Sequence, residues 1–173
     1  MKYDVNEFVF RQCGSADLED ILFIQEEAFR VLPDPSLLRR NTSEMLASCL
    51  TDPHYTLGVF HKDKLAAFGI LYDGLQTDEN IGIDMGLTGE KLNDVINFKL
   101  VIVLPEYRGN SLQRLIIERL SETARQKNKK IMCATVSPDN AHSISNFEKC
   151  GFILHSVKTK YGGMKRNIYY KNL

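Results

Sequence analysis

The run VINFKLVIVL (95–104) constrains the fold more than any other part of the chain, because it is almost continuously apolar and rich in β-branched side chains. An apolar run without alternation is typical of a central strand that is buried on both faces of a sheet. Pro105 follows at once and ends the strand, since proline has no N–H group to donate to a sheet. The sequence therefore predicts a central strand in a sheet that helices cover.

The segment after this strand predicts an anion-binding loop. The sequence PEYRGN leads into a helix whose apolar residues recur at spacings of three and four and whose end, RQKNKK, is basic. The N-terminus of a helix presents unpaired main-chain N–H groups, which suit phosphate. Only Gly109 is a glycine here, and Ser111 and Gln113 stand where small residues would let the main chain approach a phosphate closely.

Apolar spacing and turn residues assign the other elements. They are a strand at 8–13, a helix in DLEDILFIQEEAFR after Ser15, a second helix in LLRRNTSEMLASCL (37–50), a hairpin at 55–72, a strand at 130–136, a helix at 141–150 with Asn140 or Asp139 as N-cap, and two last strands, FILHSVKT and RNIYYKNL. The order is strand, two helices, three strands, helix, strand, helix, two strands. Residues 73–93, which include four glycines, are predicted to form a loop or an irregular insertion.

Composition excludes several classes of function. The 173 residues fit one domain, 1–173, and 22 basic side chains balance 22 acidic ones, so no basic excess indicates nucleic-acid binding. No apolar run is long enough for a membrane span and no signal-peptide pattern is visible, so we expect a cytoplasmic protein. The four cysteines (Cys13, Cys49, Cys133, Cys150) are widely spaced. This spacing argues against a disulfide framework or a zinc site and predicts reduced, mostly packed thiols.

Two motifs and the order of elements together resemble the GNAT acetyltransferase family. The loop RGNSLQ (108–113) falls on the family signature Arg/Gln-x-x-Gly-x-Gly/Ala, with Ser111 and Gln113 as departures. The segment NAHSISNFEKCGF (140–152) resembles the family's Asn-x-x-Ala-x-x-x-Tyr-x-Lys-x-Gly-Phe helix, with Phe147 at the tyrosine position. The resemblance implies an α/β (α+β) fold, a mixed sheet of about six to seven strands with about four helices, splayed around a cofactor.

The resemblance also implies acetyl-CoA as acetyl donor, no metal, and a set of contacts to the donor. The main-chain N–H groups of 108–113 would take its pyrophosphate, and its extended pantetheine arm would add to the edge left where strands 98–104 and 130–136 splay apart. Asn140, Ser143 and Phe147 share one helix face toward that cleft. The residues implied to contact acetyl-CoA are Ile102, Val103, Arg108, Gly109, Asn110, Ser111, Leu112, Gln113, Asn140, Ser143 and Phe147.

The implied reaction is direct attack by a primary amine, on a small molecule or peptide, with both substrates bound together. A lysine-like amine with a pKa of about 10.4 is mostly protonated at neutral pH, so a base must accept a proton. The sequence assigns no base, because only the order of elements places Asp94, Glu26 and Glu27 near the cleft. The main-chain N–H of Val103 is the expected donor to the oxyanion that forms.

Phe147 leaves open two readings of the same fold. The family's tyrosine protonates the departing thiolate, which phenylalanine cannot do. A thiol with a pKa of roughly 8.5 leaves tolerably as its anion, so the first reading is an active enzyme that uses water, another tyrosine or no acid. The second reading is a non-catalytic acyl-CoA-binding or sensing module.

A third reading is a cysteine hydrolase that pairs Cys133 or Cys150 with His142 or His155. No nucleophile motif surrounds either cysteine, and Cys150 lies near a helix C-terminus, where the helix dipole disfavours a thiolate. This reading therefore has little support in the sequence.

The acceptor is not specified by the sequence. The resemblance implies a groove built from residues 25–41 and 159–165 and allows a homodimer. The charged residues of the groove have mixed signs, so their charge favours neither a cationic nor an acidic acceptor. They are Glu26, Glu27, Asp34, Arg30, Arg39, Arg40, Lys158 and Lys160.

Overall fold

The computed structural model describes residues 1–173 and contains one mixed seven-stranded sheet with four α-helices. In chain order the elements are β1 (Phe8–Gln12), α1 (Leu18–Val31), α2 (Ser43–Ser48), β2 (Tyr55–His61), β3 (Lys64–Tyr72), β4 (Val95–Val103), α3 (Leu112–Gln126), β5 (Ile131–Val136), α4 (Ala141–Lys149), β6 (Ile153–Lys160) and β7 (Met164–Asn172). The strands lie in the order β1-β2-β3-β4-β5-β7-β6, and only β4 and β5 are parallel neighbours. The predicted order of elements and the mixed sheet are confirmed.

Two helical layers cover the centre of the sheet. Helices α1 and α3 each pack on β3 and β4. Helix α1 also contacts α2, and helix α3 also contacts α4. Ile96, Phe98 and Leu100 of β4 are buried within a core that contains most of the buried apolar residues. The prediction that 95–104 forms a buried central strand is therefore confirmed.

The predicted second helix is much shorter than the sequence pattern suggests. Helix α2 covers only Ser43–Ser48, and Thr42 caps it by accepting a hydrogen bond from the N–H of Met45 at 3.1 Å. Just before it, the side chain of Gln25 on α1 bonds both the N–H and the C=O of Asn41, at 3.0 and 2.9 Å. These contacts hold residue 41 to α1, so tertiary hydrogen bonds replace the first turns of the predicted helix.

The segment 73–93 is more ordered than predicted. It contains two 3-10 helices, Ile81–Met85 and Gly89–Asp94. The side chain of Asn97 on β4 accepts a bond from the N–H of Ile81 and donates one to the C=O of Glu79, at 3.1 and 2.7 Å. Asn80 likewise bonds the C=O of Leu92 at 3.0 Å. Asn97 therefore joins the segment to β4, and Asn80 links two parts of the segment to each other, which no apolar pattern reveals.

Candidate functional site

Strands β4 and β5 separate soon after they begin. Their parallel pairing includes only Val95–Asn97 of β4 and Ile131–Cys133 of β5. Both strands continue beyond this pairing, to Val103 and Val136. The result is a gap between β4 and β5 in the middle of the sheet, as the resemblance described above implies.

The register of β4 shows which main-chain groups face this gap. The N–H of Leu104 donates to the C=O of Ala66 at 2.9 Å, in line with the β3–β4 ladder. Alternate residues of an antiparallel strand turn their main-chain groups to the same neighbour, so those of Ile102 face β3. Those of Val101 and Val103 face the gap. Of the two residues expected to make main-chain contacts, Val103 therefore has its main-chain groups toward the gap and Ile102 does not.

A one-residue bulge lies beside the start of the gap. Leu100 pairs with Ile70 and Phe98 pairs with Leu71, which leaves Lys99 without a partner on β3. A bulge bends its strand and redirects the extra side chain. The ammonium group of Lys99 lies 4.8 Å from the ring centroid of Tyr72.

A large outer cavity, of about 590 Å³, opens beside the gap. It is bounded by α1, β4, the loop that precedes α3, the first turn of α3 and one face of α4. Among its lining residues are Ile102, Val103, Arg108, Gly109, Ser111, Leu112, Gln113, Asn140 and Ser143, all of them among the contacts that the resemblance implies. Arg114, His142 and Lys149 also line it, and no aspartate or glutamate does.

The N-terminus of α3 presents a row of free main-chain donors to this cavity. None of the N–H groups of residues 109–114 donates a hydrogen bond within the protein, whereas the N–H of Arg108 is held by the C=O of Pro105 at 3.2 Å. Gly109 and Ser111 have positive φ angles, of 82° and 59°. The predicted span of N–H donors is 108–113, whereas the free N–H groups are those of residues 109–114.

Two side chains of the loop are occupied within the protein. Asn110 does not line the cavity, because its side chain accepts a bond from the N–H of Tyr3 at 2.8 Å and donates one to the C=O of Tyr107 at 2.9 Å. Gln113 donates to Oγ of Ser143 at 3.1 Å and accepts from Nδ2 of Asn146 at 2.9 Å. The glutamine that departs from the small-residue pattern thus joins α3 to α4.

A smaller inner cavity, of about 100 Å³, continues from the outer one. The two share Leu37, Leu38, Val101, Asn140 and Ser143 as lining residues. The inner cavity is also lined by Arg39, Glu79, Lys99, Thr135, Phe147, Tyr161 and Arg166. One continuous cleft therefore runs from the free N–H groups of α3 to a set of charged and hydroxyl side chains.

Comparison with known proteins identifies the family to which this cleft belongs. The sequence pattern of the acetyltransferase (GNAT) family matches residues 18–152. The chain belongs to the GNAT acetyltransferase family. This match contains the loop at 108–113 and the helix segment at 140–152, the two motifs on which the resemblance was based.

Solved GNAT structures share the fold along nearly the whole chain. A GNAT acetyltransferase from Streptococcus pneumoniae superimposes with a TM-score of 0.74 at 17% identity, covering 96% of this chain and 99% of that one. The ribosomal-protein-S18-alanine N-acetyltransferase of Escherichia coli gives 0.70 at 18% identity, covering 95% and 93%. The PaiA N-acetyltransferase of Thermoplasma acidophilum, in complex with coenzyme A, gives 0.69 at 16%, covering 96% and 99%. No match was found among curated protein sequences.

The second GNAT motif adopts the predicted helix. The side chain of Asn140 caps α4 by accepting a bond from the N–H of Ser143 at 3.1 Å, so Asn140 is the N-cap. Phe147 is 3% exposed and packs edge-on against Phe98 and Phe152, with centroids 5.3 and 4.9 Å apart. Phe147 lines the inner cavity as an apolar wall and offers no proton.

Most charged residues expected around the acceptor groove of this GNAT chain are engaged elsewhere. Glu26 pairs with Arg40, Glu27 with Arg30, Asp94 with Lys130 and Lys160 with Asp84. The three carboxylates considered as bases therefore do not line the cleft. The carboxylate that does is Glu79, from the segment 73–93, which sequence reasoning missed because that segment has no counterpart in the family motifs.

The cysteines do not form a hydrolase site. All four are free and buried, and burial raises the pKa of Cys133 to about 12 and raises that of Cys150. His142 contacts Asn146 and His155 contacts Ser156, so neither histidine bonds a cysteine. A buried thiol without a base is a poor nucleophile, and the hydrolase reading is wrong.

Proposed function

We propose that this GNAT protein transfers an acetyl group from acetyl-CoA to a primary amine of a small molecule or peptide, with both substrates bound together. The continuity of the two cavities carries the proposal, since free N–H donors lie at one end of the cleft and a carboxylate lies at the other. The solved relatives support it, since one was solved with coenzyme A and another is an N-acetyltransferase of a ribosomal-protein alanine.

The outer cavity fits acetyl-CoA in charge and in hydrogen-bonding capacity. Arg108, Arg114 and Lys149 line it without any carboxylate, and five of the six residues with free N–H groups at the positive end of α3 line it as well. Both features favour a pyrophosphate. The main-chain groups of Val101 and Val103 suit an extended, amide-rich arm, which can add along a strand edge. When bound, the cofactor supplies the activated acetyl group.

Glu79 is the proposed proton acceptor. It lines the inner cavity, and its carboxylate is 3.8 Å from Arg39, a loose pair in which both side chains remain partly exposed. A carboxylate beside the cleft can take the proton that an ammonium group must lose before its nitrogen attacks. The N–H of Val103, which faces the gap, remains the proposed donor to the developing oxyanion.

Tyr161 is the proposed replacement for the missing tyrosine of α4. It lies in the turn between β6 and β7, lines the inner cavity, and its hydroxyl is 3.1 Å from Oγ1 of Thr135 on β5. A hydroxyl at the edge of the gap can donate a proton to a leaving thiolate. The acid would thus come from the turn between β6 and β7 rather than from α4.

A screen of acceptors tests the proposal. Release of free thiol from acetyl-CoA is measured with polyamines, amino acids, aminoglycosides and peptides with free N-termini, and acetyl-CoA binding is measured separately by calorimetry. We expect saturable binding of acetyl-CoA and thiol release with at least one class of amine.

The alternative function is a non-catalytic acyl-CoA-binding or sensing module. The buried Phe147 at the tyrosine position is the observation that favours it. Acetyl-CoA binding without thiol release across the whole acceptor screen would establish this alternative and overturn the transferase proposal.

A further inference from the structure

The inner cavity contains two cationic side chains, Lys99 and Arg166, that form no ion pair with a carboxylate of the protein. Lys99 makes neither a hydrogen bond nor an ion pair, and its ammonium group contacts only the ring of Tyr72, at 4.8 Å from the centroid. Burial lowers the pKa of Lys99, with the charge of Arg39 adding to this effect. Arg166 is 3% exposed, and its guanidinium donates to the C=O groups of Ser36 and Lys165 at 2.7 and 3.0 Å. These neutral acceptors satisfy N–H groups and leave the positive charge uncompensated.

The remaining charges of the cavity do not change this balance. Arg39 and Glu79 form one loose pair, so Lys99 and Arg166 leave an excess of two positive charges among the lining residues. Buried cations in proteins are normally paired, because an unpaired charge loses its hydration without compensation. A cavity with this excess therefore favours an anionic group of a bound ligand.

We propose that the acceptor is a small amine that carries an oxyanion, as a free amino acid does, and that Lys99 and Arg166 bind its carboxylate. This inference rests on the proposed acetyl transfer and names the substrate class of that same site. The amine of such a molecule would lie toward Glu79 and the gap, while its carboxylate lies against the two cations.

The geometry assigns this anion to the acceptor rather than to the donor. The free N–H groups and the cations suited to the donor's phosphates line the outer cavity. The inner cavity, of about 100 Å³, is the smaller of the two, and none of the outer-cavity cations Arg108, Arg114 and Lys149 lines it. Polyamines are disfavoured, because a second ammonium group would face Lys99 and Arg166.

Matched acceptors test the role of the carboxylate. Each amino acid is compared with its carboxamide and its decarboxylated amine, and glycine is also compared with aminomethylphosphonate and with glycylglycine. The carboxamide has the less basic amine and is more often neutral, so intrinsic reactivity opposes the expected result. We expect kcat/KM for the preferred acid to exceed that for its amide by about thirtyfold or more.

The same series of acceptors shows which kind of anionic molecule the inner cavity prefers. Activity with glycine or another free amino acid supports the proposed class. A preference for the phosphonate or for the dipeptide would overturn the assignment to a free amino-acid carboxylate.

Variants connect the preference to the cations. Lys99→Met should remove most of the preference for acid over amide while acetyl-CoA binding stays unchanged, whereas Arg166→Lys keeps the charge and should retain part of it. Lys130→Met is the matched control, because Lys130 is exposed and pairs with Asp94 away from the cavity. A Lys99→Met protein with an unaltered ratio of acid to amide turnover contradicts the proposal.

A binding measurement separates failure of this inference from failure of the proposed function. Calorimetry with coenzyme A present compares the N-acetyl derivatives of the same amino acids with their carboxamides, which requires no turnover. Tighter binding of the acids that depends on Lys99 supports the inference even if no amine is acetylated. Absence of acetylation would then overturn the proposed transferase activity but not the anion site. Equal binding of acids and amides overturns the inference whatever the activity.

Discussion

The hydroxyl of Tyr161 lies 3.1 Å from Oγ1 of Thr135, so the turn between β6 and β7 brings a phenol to the strand that borders the gap. We expect Tyr161→Phe to lower kcat by roughly tenfold. This loss is smaller than the usual contribution of a general acid, because a thiolate is already a fair leaving group. The dissociation constant of acetyl-CoA should not change. Steady-state thiol release and calorimetry measure the two quantities.

The matched control is Tyr170→Phe, since Tyr170 is a half-buried tyrosine on β7 that does not line the inner cavity. It should leave kcat unchanged. If Tyr161→Phe also leaves kcat unchanged, the thiolate departs without help from this residue.

Glu79→Gln should lower kcat by about a hundredfold, because the amide cannot accept the proton that the acceptor amine must lose. The deficit should shrink as the pH rises toward the amine pKa of about 10.4, since the neutral amine then becomes abundant without a base. Asp78→Asn is the control, because Asp78 is the exposed neighbouring carboxylate and does not line the cavity. A deficit that stays constant with pH would argue for a purely structural role of Glu79.

Ser111→Gly tests whether the loop tolerates its missing glycine. Ser111 has φ 59° and ψ 16°, a left-handed conformation that costs a non-glycine residue roughly 1–2 kcal/mol. Part of that cost is offset by the greater freedom of glycine in the unfolded chain, so we expect stabilisation of up to about 1 kcal/mol. The acetyl-CoA dissociation constant should change by less than about tenfold, or about 1.4 kcal/mol, because the N–H groups already face the cavity.

A serine in a right-handed helix provides the contrast. Ser145→Gly in α4 should destabilise the protein by about 0.5 kcal/mol, because glycine is a poor helix former. Urea unfolding of both variants measures the difference. The same sign for both would show that backbone conformation at 111 does not decide stability.

The sequence predicts the elements of this fold well where apolar spacing is decisive. The run at 95–104 and the apolar face of α3 determine the central layer, and both form as expected. The helix predicted in 37–50 is largely wrong, because the side chain of Gln25 bonds the main chain of Asn41. Such contacts between residues distant in sequence leave no local pattern.

The residues of the candidate site likewise include some that the sequence predicts and some that it does not. The loop at 108–113 and Asn140 are recognisable because the main-chain donors follow from the helix start. Glu79 and Tyr161 lie in a long segment and a turn, and only the fold brings them to one cavity. Lys99 is one of two polar residues in an otherwise apolar strand, and its significance depends on the bulge that the register reveals.

Gly69 shows how closely α3 lies on the sheet, and its replacement gives a stability prediction. A Cβ at Gly69 would lie 2.3 Å from Cγ2 of Ile116, a branched atom close to the helix backbone that has little freedom to move. Gly69→Ala should therefore destabilise the protein by about 1–3 kcal/mol through overpacking. Gly14→Ala is the control, because Gly14 has an extended conformation and a Cβ there would have no atom within 4 Å beyond its chain neighbours. Denaturant unfolding should show a lower midpoint for Gly69→Ala alone, and equal midpoints for the two variants would mean that α3 shifts freely on β3.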